Sequence, residues 1–216
     1  MKKFDRLPPK KRREEIQAAA LEIFIQKGFA ATTMENIVEK VSLSKGGVYR
    51  IYSSTTAILS DLMLTGMHLR NAYYVERVRK ETEEGRTLTL PFLVDMIGDS
   101  LMLYPEFSKI YVEFLWEKQR NPQLEECYRK ICETTIEETV SLIREYGADK
   151  ILLTDDRILV QLTELMNATI LSLHVLNLHE HFKDHKARIC EAVTKILTDQ
   201  NPGRDHDLKE EYYAGF

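Results

Sequence analysis

The chain has 216 residues, 44% of them hydrophobic and 30% charged, which suffices for one globular domain plus a small appended one with a ligand-sized interior. Its formal charge of −4 excludes a protein that coats nucleic acid with its whole surface. The charge is uneven, however: residues 1 to 50 carry 11 Lys/Arg against 6 Asp/Glu and the remainder 19 against 28, so any phosphate-binding footprint lies at the N-terminus.

In chain order, Lys10-Lys-Arg-Arg13 opens a helix whose apolar face is Ile16, Ala19, Ala20, Ile23 and Phe24, with Gly28 as its C-cap. Thr32 and Glu35 have capping-box spacing before a short second helix that faces inward through Ile37, Val38 and Val41. Ser42-Leu43 forms a turn, and Ser44 caps a third helix, Lys45 to Tyr52, with Val48 and Tyr52 pointing inward. Ser54 caps a fourth, running from Thr55 to about Lys80, before the loop Glu83-Glu-Gly-Arg-Thr87. Proline starts and glycine stops predict further helices near 89–103, 105–120, 122–146, 155–178 and 183–199. The tail from Asn201 is expected to be loosely attached. The fold class is therefore all-α. A helix-turn-helix unit at 10–56 is linked by the fourth helix (55–80) to a second domain at 81–200, followed by a tail at 201–216. The apolar run Ile158 to Leu178 contains Gln161, Glu164, Asn167, His174 and Asn177, which a lone membrane span would bury at high cost. It reads as a buried or interface helix, and no membrane partner is expected.

Three short helices with a tight turn before the last can set one helix N-terminus into a DNA major groove. The run Gly28-Phe-Ala-Ala-Thr-Thr33, then Ile37, Ser44-Lys-Gly-Gly-Val-Tyr49, Tyr52 and Ser54 resembles the tetracycline-repressor (TetR) family in order and spacing, over roughly residues 12 to 60. The resemblance implies DNA contacts from Thr33, Ser44, Lys45 and Tyr49 within a helix-turn-helix at 33–52. It also implies an all-helical ligand-binding domain whose last two long helices form a dimeric four-helix bundle. Hydroxyls, helix-start amides and cations all suit phosphates. Gly46 and Gly47 allow close backbone approach, and Lys45 and Arg50 can address guanine O6 and N7; Tyr52 completes the candidate set. Three positions depart from the family. Ser42 stands where the turn usually has glycine, which predicts a strained or reshaped backbone. Thr55 and Thr56 replace the lysine and the acidic residue usual at the start of the fourth helix, so Lys10 to Arg13 are expected to compensate as a basic arm.

Aromatic and sulfur side chains crowd residues 88 to 178, and most of them fill a core. Candidate pocket residues are Tyr111, Phe114, Trp116, Tyr128 and Met166, with Glu113, Glu164, Asn167 and His174 as polar groups to orient a ligand. A carboxylate among aromatics would suit a lipophilic cation, and an apolar pocket an acyl chain or planar aromatic; the sequence leaves these open. The stripe Leu162, Met166, Ile170, Leu173 and Leu176, followed by Ile189, Val193, Ile196 and Leu197, suits a two-fold interface, with an intramolecular core as the alternative. His181 and His185 have the spacing of a helical metal pair within the group His174, His179, His181 and His185. They lack a compelling third ligand, so no metal and no cofactor are expected. Cys127, Cys132 and Cys190 form an odd set without metal-type spacing, and Met1-Lys-Lys-Phe-Asp lacks the apolar core of a secretion signal; both predict a reducing cytoplasm.

The expected function is a homodimeric transcription regulator presenting two recognition helices about 34–36 Å apart to a palindromic double-stranded operator. Release by a small-molecule inducer follows from the family resemblance. An activator or protein-binding module is the alternative. A helical enzyme is disfavoured, because no phosphate-binding glycine loop, nucleophile elbow or di-iron carboxylate pattern occurs.

Overall fold

Pro8 and Pro9 start the first helix, since a proline in the first turn sacrifices only an amide that would have no intrahelical partner. In this computed structural model, residues 8–146 and 156–199 are described. Their regular elements are α1 (Pro9–Lys27), α2 (Met34–Lys40), α3 (Lys45–Ile51), α4 (Thr55–Glu83), α5 (Leu90–Ser100), α6 (Pro105–Glu117), a 3-10 turn (Lys118–Arg120), α7 (Pro122–Tyr146), α8 (Asp156–Val175) and α9 (His179–Asp199). The tail from Asn201 lies outside the described residues. Among them, no helix is long and apolar enough to cross a membrane.

The punctuation is local chemistry. Gly28 ends α1 with φ +83°, a conformation that costs residues with a Cβ, and its N–H donates to the Phe24 carbonyl at 2.8 Å. Thr33, Ser44, Ser54 and Thr89 each accept an amide of the following first turn, capping α2, α3, α4 and α5. The capping box is built one residue later than Thr32 and Glu35 suggest. Thr33 accepts from the Asn36 amide, and the Asn36 side chain accepts from the Thr33 amide at 3.0 Å. Thr32 turns inward and donates to the Gly28 carbonyl at 2.8 Å. Asn177 takes φ 54° and ends α8, with the Leu178 N–H reaching the Leu173 carbonyl at 3.0 Å. The last helix therefore begins at His179 rather than at residue 183.

One core runs through the N-terminal unit and into the second. The predicted face of α1 is buried as a set, and it packs with Ile37, Val48 and Tyr52 on Ile58, Leu59 and Leu62 of α4. The same cluster continues through Ile110 and Phe114 of α6 to Tyr128 and Ile131 of α7. A second cluster joins Tyr74 and Val78, further along α4, to α5, Leu162 and α9. Helix α4 is thus the shared spine. Arg77 of α4 meets Asp99 at 2.9 Å and Asp95 at 3.7 Å on α5, and Lys186 of α9 meets Asp95 at 2.7 Å and also Asp99. Burial opposes ionisation of Asp99, but Lys186 and Arg77 hold its carboxyl below the usual range.

The stripe Leu162, Met166, Ile170 and Leu173 is buried within the chain, so it is intramolecular core. Leu165, Leu171, Val175 and Leu176 of the α8 segment and Ile196 of α9 are the large apolar residues left exposed there.

Candidate functional site

Helices α2 and α3 present a polar, hydroxyl-rich face. Thr33, Ser44, Lys45, Gly46 and Arg50 are exposed, Tyr49 is 38% exposed, and Gly47 is half-buried. Lys45 Nζ donates to Glu35 Oε1 at 2.9 Å and lies 5.7 Å from the Tyr49 ring centroid, and the Tyr49 hydroxyl donates to the same oxygen at 3.3 Å. That hydrogen bond from Lys45 holds the Glu35 carboxyl below the usual range. A Cβ on Gly46 would meet nothing within 4 Å, whereas one on Gly47 would lie 3.3 Å from Ser44 Oγ and 3.5 Å from Leu43 Cβ. Gly46 therefore faces open space, and Gly47 faces its own turn.

Behind α3, Tyr52 is 4% exposed and its hydroxyl donates to Asp61 on α4. The same Asp61 oxygen accepts from Arg13 at 3.0 Å, with the Arg13 guanidinium 5.5 Å from the centre of the Tyr52 ring. Burial first, then the neighbouring carboxylate, push the Tyr52 phenol well above its ordinary pKa. Tyr52 therefore belongs to the packing of α3 on α4 and not to the exposed face.

An open cleft lies among α4, α6, α7 and α8. Met63, Gly66, Met67 and Arg70 line it from α4; Phe107, Ser108 and Tyr111 from α6; Met166 and Ile170 from α8. A Cβ on Gly66 would come within 2.9 Å of Phe107 Cδ1, so that glycine lets α6 approach α4 at the cleft wall. Beyond the cleft, α6 grips the N-terminal unit. Glu113 accepts the Phe29 amide at 2.5 Å, and Lys109 donates to the Ile25 carbonyl at 3.3 Å.

Residues 16–62 match the sequence model of the bacterial regulatory proteins of the tetR family. Over 57 residues the chain is 44% identical to the HTH-type transcriptional regulator YfiR of Bacillus subtilis (strain 168), a match covering 26% of this chain and 28% of that protein. Solved structures extend the likeness along the chain. A transcriptional regulator from Pseudomonas aeruginosa PAO1 aligns with TM-score 0.70 at 16% identity, over 90% of this chain and 94% of its own. A TetR-family regulator from Mesorhizobium loti MAFF303099 aligns with TM-score 0.67 at 19% identity, over 87% and 95%. Residues 16–62 thus carry the sequence pattern of the tetR-family regulators, and the rest of the chain shares the fold of the solved regulators. The fold is also that of Thermus thermophilus FadR, a TetR-family repressor solved with lauroyl-CoA, at TM-score 0.59 and 20% identity over 91% and 98% of the two chains.

The departures from the family pattern acquire physical reasons in the structure. Ser42 is unstrained: positive φ among non-glycine residues occurs only at Asn177 in the described chain. The Ser42 amide is held by Glu15 Oε1 at 2.6 Å, so a carboxylate from α1 fixes the turn. Of the expected basic arm, Arg13 is committed to Asp61, which leaves Lys10 and Lys11 exposed and Arg12 half-buried.

The pocket candidates separate. Tyr111 and Met166 line the cleft. Phe114 and Tyr128 are core beneath it, and Asn167 links the layers, accepting from the Tyr111 hydroxyl at 3.0 Å and donating to that of Tyr128 at 3.1 Å. Trp116 is 62% exposed and Glu164 points to solvent, because both occupy the outer faces of their helices. Glu113 is spent on Phe29. His174 stands apart from the cleft, its ring centroid 4.5 Å from that of His179; burial first, then His179 and Lys109, lower its pKa. His181 and His185 stack at 4.3 Å with His185 Nδ1 on the His181 carbonyl, so the spacing serves the helix itself. Cys127, Cys132 and Cys190 are buried and unbridged, and burial pushes the Cys127 and Cys190 thiols up, away from the reactive thiolate.

The sequence reading missed Arg70. A signal was available: the inward register of α4 runs Leu59, Met63, Met67, Arg70, Tyr74, Val78, and a cation interrupts an otherwise apolar stripe.

Proposed function

We propose that this chain acts as a homodimeric transcription regulator in the cytoplasm, a repressor that holds palindromic double-stranded DNA and is released when a small molecule enters the cleft. The exposed face of Thr33, Ser44, Lys45, Gly46, Tyr49 and Arg50 carries this reading. Thr33, Ser44 and Lys45 project hydroxyls and a cation from capped helix starts, Tyr49 and Arg50 add an aromatic edge and a second cation further along α3, and Gly46 keeps the backbone bare between them. The unit at 10–56 reads DNA and residues 81–200 bind ligand and partner, with α4 between them. Lys45 exchanges Glu35 for the nucleic acid at little cost, since both groups are solvated.

Coupling follows from two helices. At one end α4 packs on α3 through Tyr52 and Asp61, and further along it walls the cleft at Met63, Met67 and Arg70. Helix α6 walls the cleft at Phe107 and Tyr111 and holds Phe29 through Glu113. A ligand that fits better when these helices shift favours a spacing of recognition helices that no longer matches successive major grooves.

The test is gel-shift titration on a duplex selected from random sequence, at fixed salt and across a salt series. Arg50→Ala and Lys45→Ala each weaken binding by about 1–3 kcal/mol, and wild-type affinity falls steeply with salt. Unchanged affinity in both variants, with a shallow salt slope, would refute the reading.

A further inference from the structure

Arg70 is the one charged side chain among those lining the cleft. Its Nη2 donates to Thr135 Oγ1 at 2.9 Å, and its Nη1 approaches only the Met166 sulfur, at 4.0 Å. Its Nε is buried without a hydrogen-bond partner, and the Tyr74 ring centroid lies 6.0 Å from the guanidinium carbon. Among the described residues no carboxylate pairs with it. None lines this cleft or the adjoining one, which Thr135 and Met166 share with Leu93 and Met96. The guanidinium therefore stands where two apolar clefts meet.

A guanidinium offers five N–H donors in a planar fork matched to a carboxylate. Withdrawing it from water without a counter-ion is unfavourable, and a thioether is a poor substitute acceptor. An entering anion removes that penalty and gains charge-assisted hydrogen bonds in a weakly screened site. A lipophilic cation meets the opposite situation, with repulsion from Arg70 and no carboxylate to receive it.

We propose that the cleft takes an amphipathic carboxylate, its apolar body against Met63, Met67, Phe107 and Tyr111 and its head group on Arg70. This rests on the cleft being the ligand site.

Decanoate, decan-1-ol and decyltrimethylammonium share one tail and differ in head charge. Their binding to the full-length protein, to Arg70→Met and to Arg70→Lys is measured by titration calorimetry and thermal melting. Decanoate binds the unaltered protein at least tenfold more tightly than the alcohol, and the ammonium binds most weakly. Arg70→Met loses the preference for decanoate while keeping the alcohol, and Arg70→Lys retains part of it. Should Arg70→Met fail to fold, the ranking of the three probes on the unaltered protein decides alone. Equal binding of all three, or undiminished decanoate binding by a folded Arg70→Met, overturns the carboxylate assignment and leaves the cleft as ligand site. Binding of none overturns the cleft as ligand site and the assignment with it.

Discussion

Ala168→Arg yields a folded monomer that has lost at least about a hundredfold in operator affinity. The reason lies in which face of α8 each residue occupies. Leu162, Met166, Ile170 and Leu173 point into the chain and are each under 10% exposed. On the opposite side Leu165, Ala168, Leu171 and Val175 are exposed, in steps of three and four residues, and Ile196 of α9 is 57% exposed. An apolar stripe of this length on a protein with abundant charge is the face that suits the two-fold contact of the proposed dimer. Arginine at position 168 is accommodated in the isolated chain, since the site is exposed and arginine ranks near alanine as a helix former. In a two-fold interface it would place two unpaired guanidinium groups at a close helix contact, where desolvation has no compensation. Each half-site would then be bound alone, without the gain from tethering two readers. Sedimentation at micromolar concentration and gel shift check both parts, and a dimer of undiminished affinity would exclude this face. Leu173→Ala provides the contrast: it costs about 2–5 kcal/mol of folding stability, because that side chain fills the chain's own core.

That contrast also shows what could be read from the sequence. Period alone locates an apolar stripe on α8, but two such stripes exist, and only packing decides which one the chain covers for itself. Glycine, proline and short hydroxyl residues act through local backbone chemistry, so helix ends were legible almost everywhere. The exceptions are instructive. Thr32 and Thr33 are both competent caps, and the choice between them was made by the Gly28 carbonyl, which takes the Thr32 hydroxyl. Asn177 ended α8 without a glycine because asparagine tolerates the left-handed conformation.

The exposed face of α2 and α3 was legible because its residues are near neighbours in sequence. The cleft was not, because its walls come from α4, α6, α7 and α8. Trp116, Glu164 and Glu113 looked like ligand groups by composition. Helix phase turned the first two outward, and the Phe29 amide claimed the third. Tyr52 sits within the predicted DNA-contact run yet faces Asp61, 9 positions away on the next helix, a partner no local pattern reveals.

Gly46→Ala separates folding from function in a single side chain, with effects of opposite sign. Nothing lies within 4 Å of the Cβ it would add, and the φ of Gly46 is not in the left-handed range. Alanine therefore fits without a clash and without backbone strain. In the second position of α3 it reduces the conformational entropy lost on folding, and stability rises by about 0.5–1 kcal/mol. The same methyl group stands on the face between Lys45 and Arg50, where the proposed DNA contact brings the helix start close to the duplex. Operator affinity accordingly falls by about 1–3 kcal/mol, the scale of one lost specific contact. Thermal melting and gel shift at one salt concentration read the two effects on the same preparation. A higher melting temperature with unchanged affinity would mean that the backbone at Gly46 stays clear of DNA, and a lower one that the glycine is needed for folding.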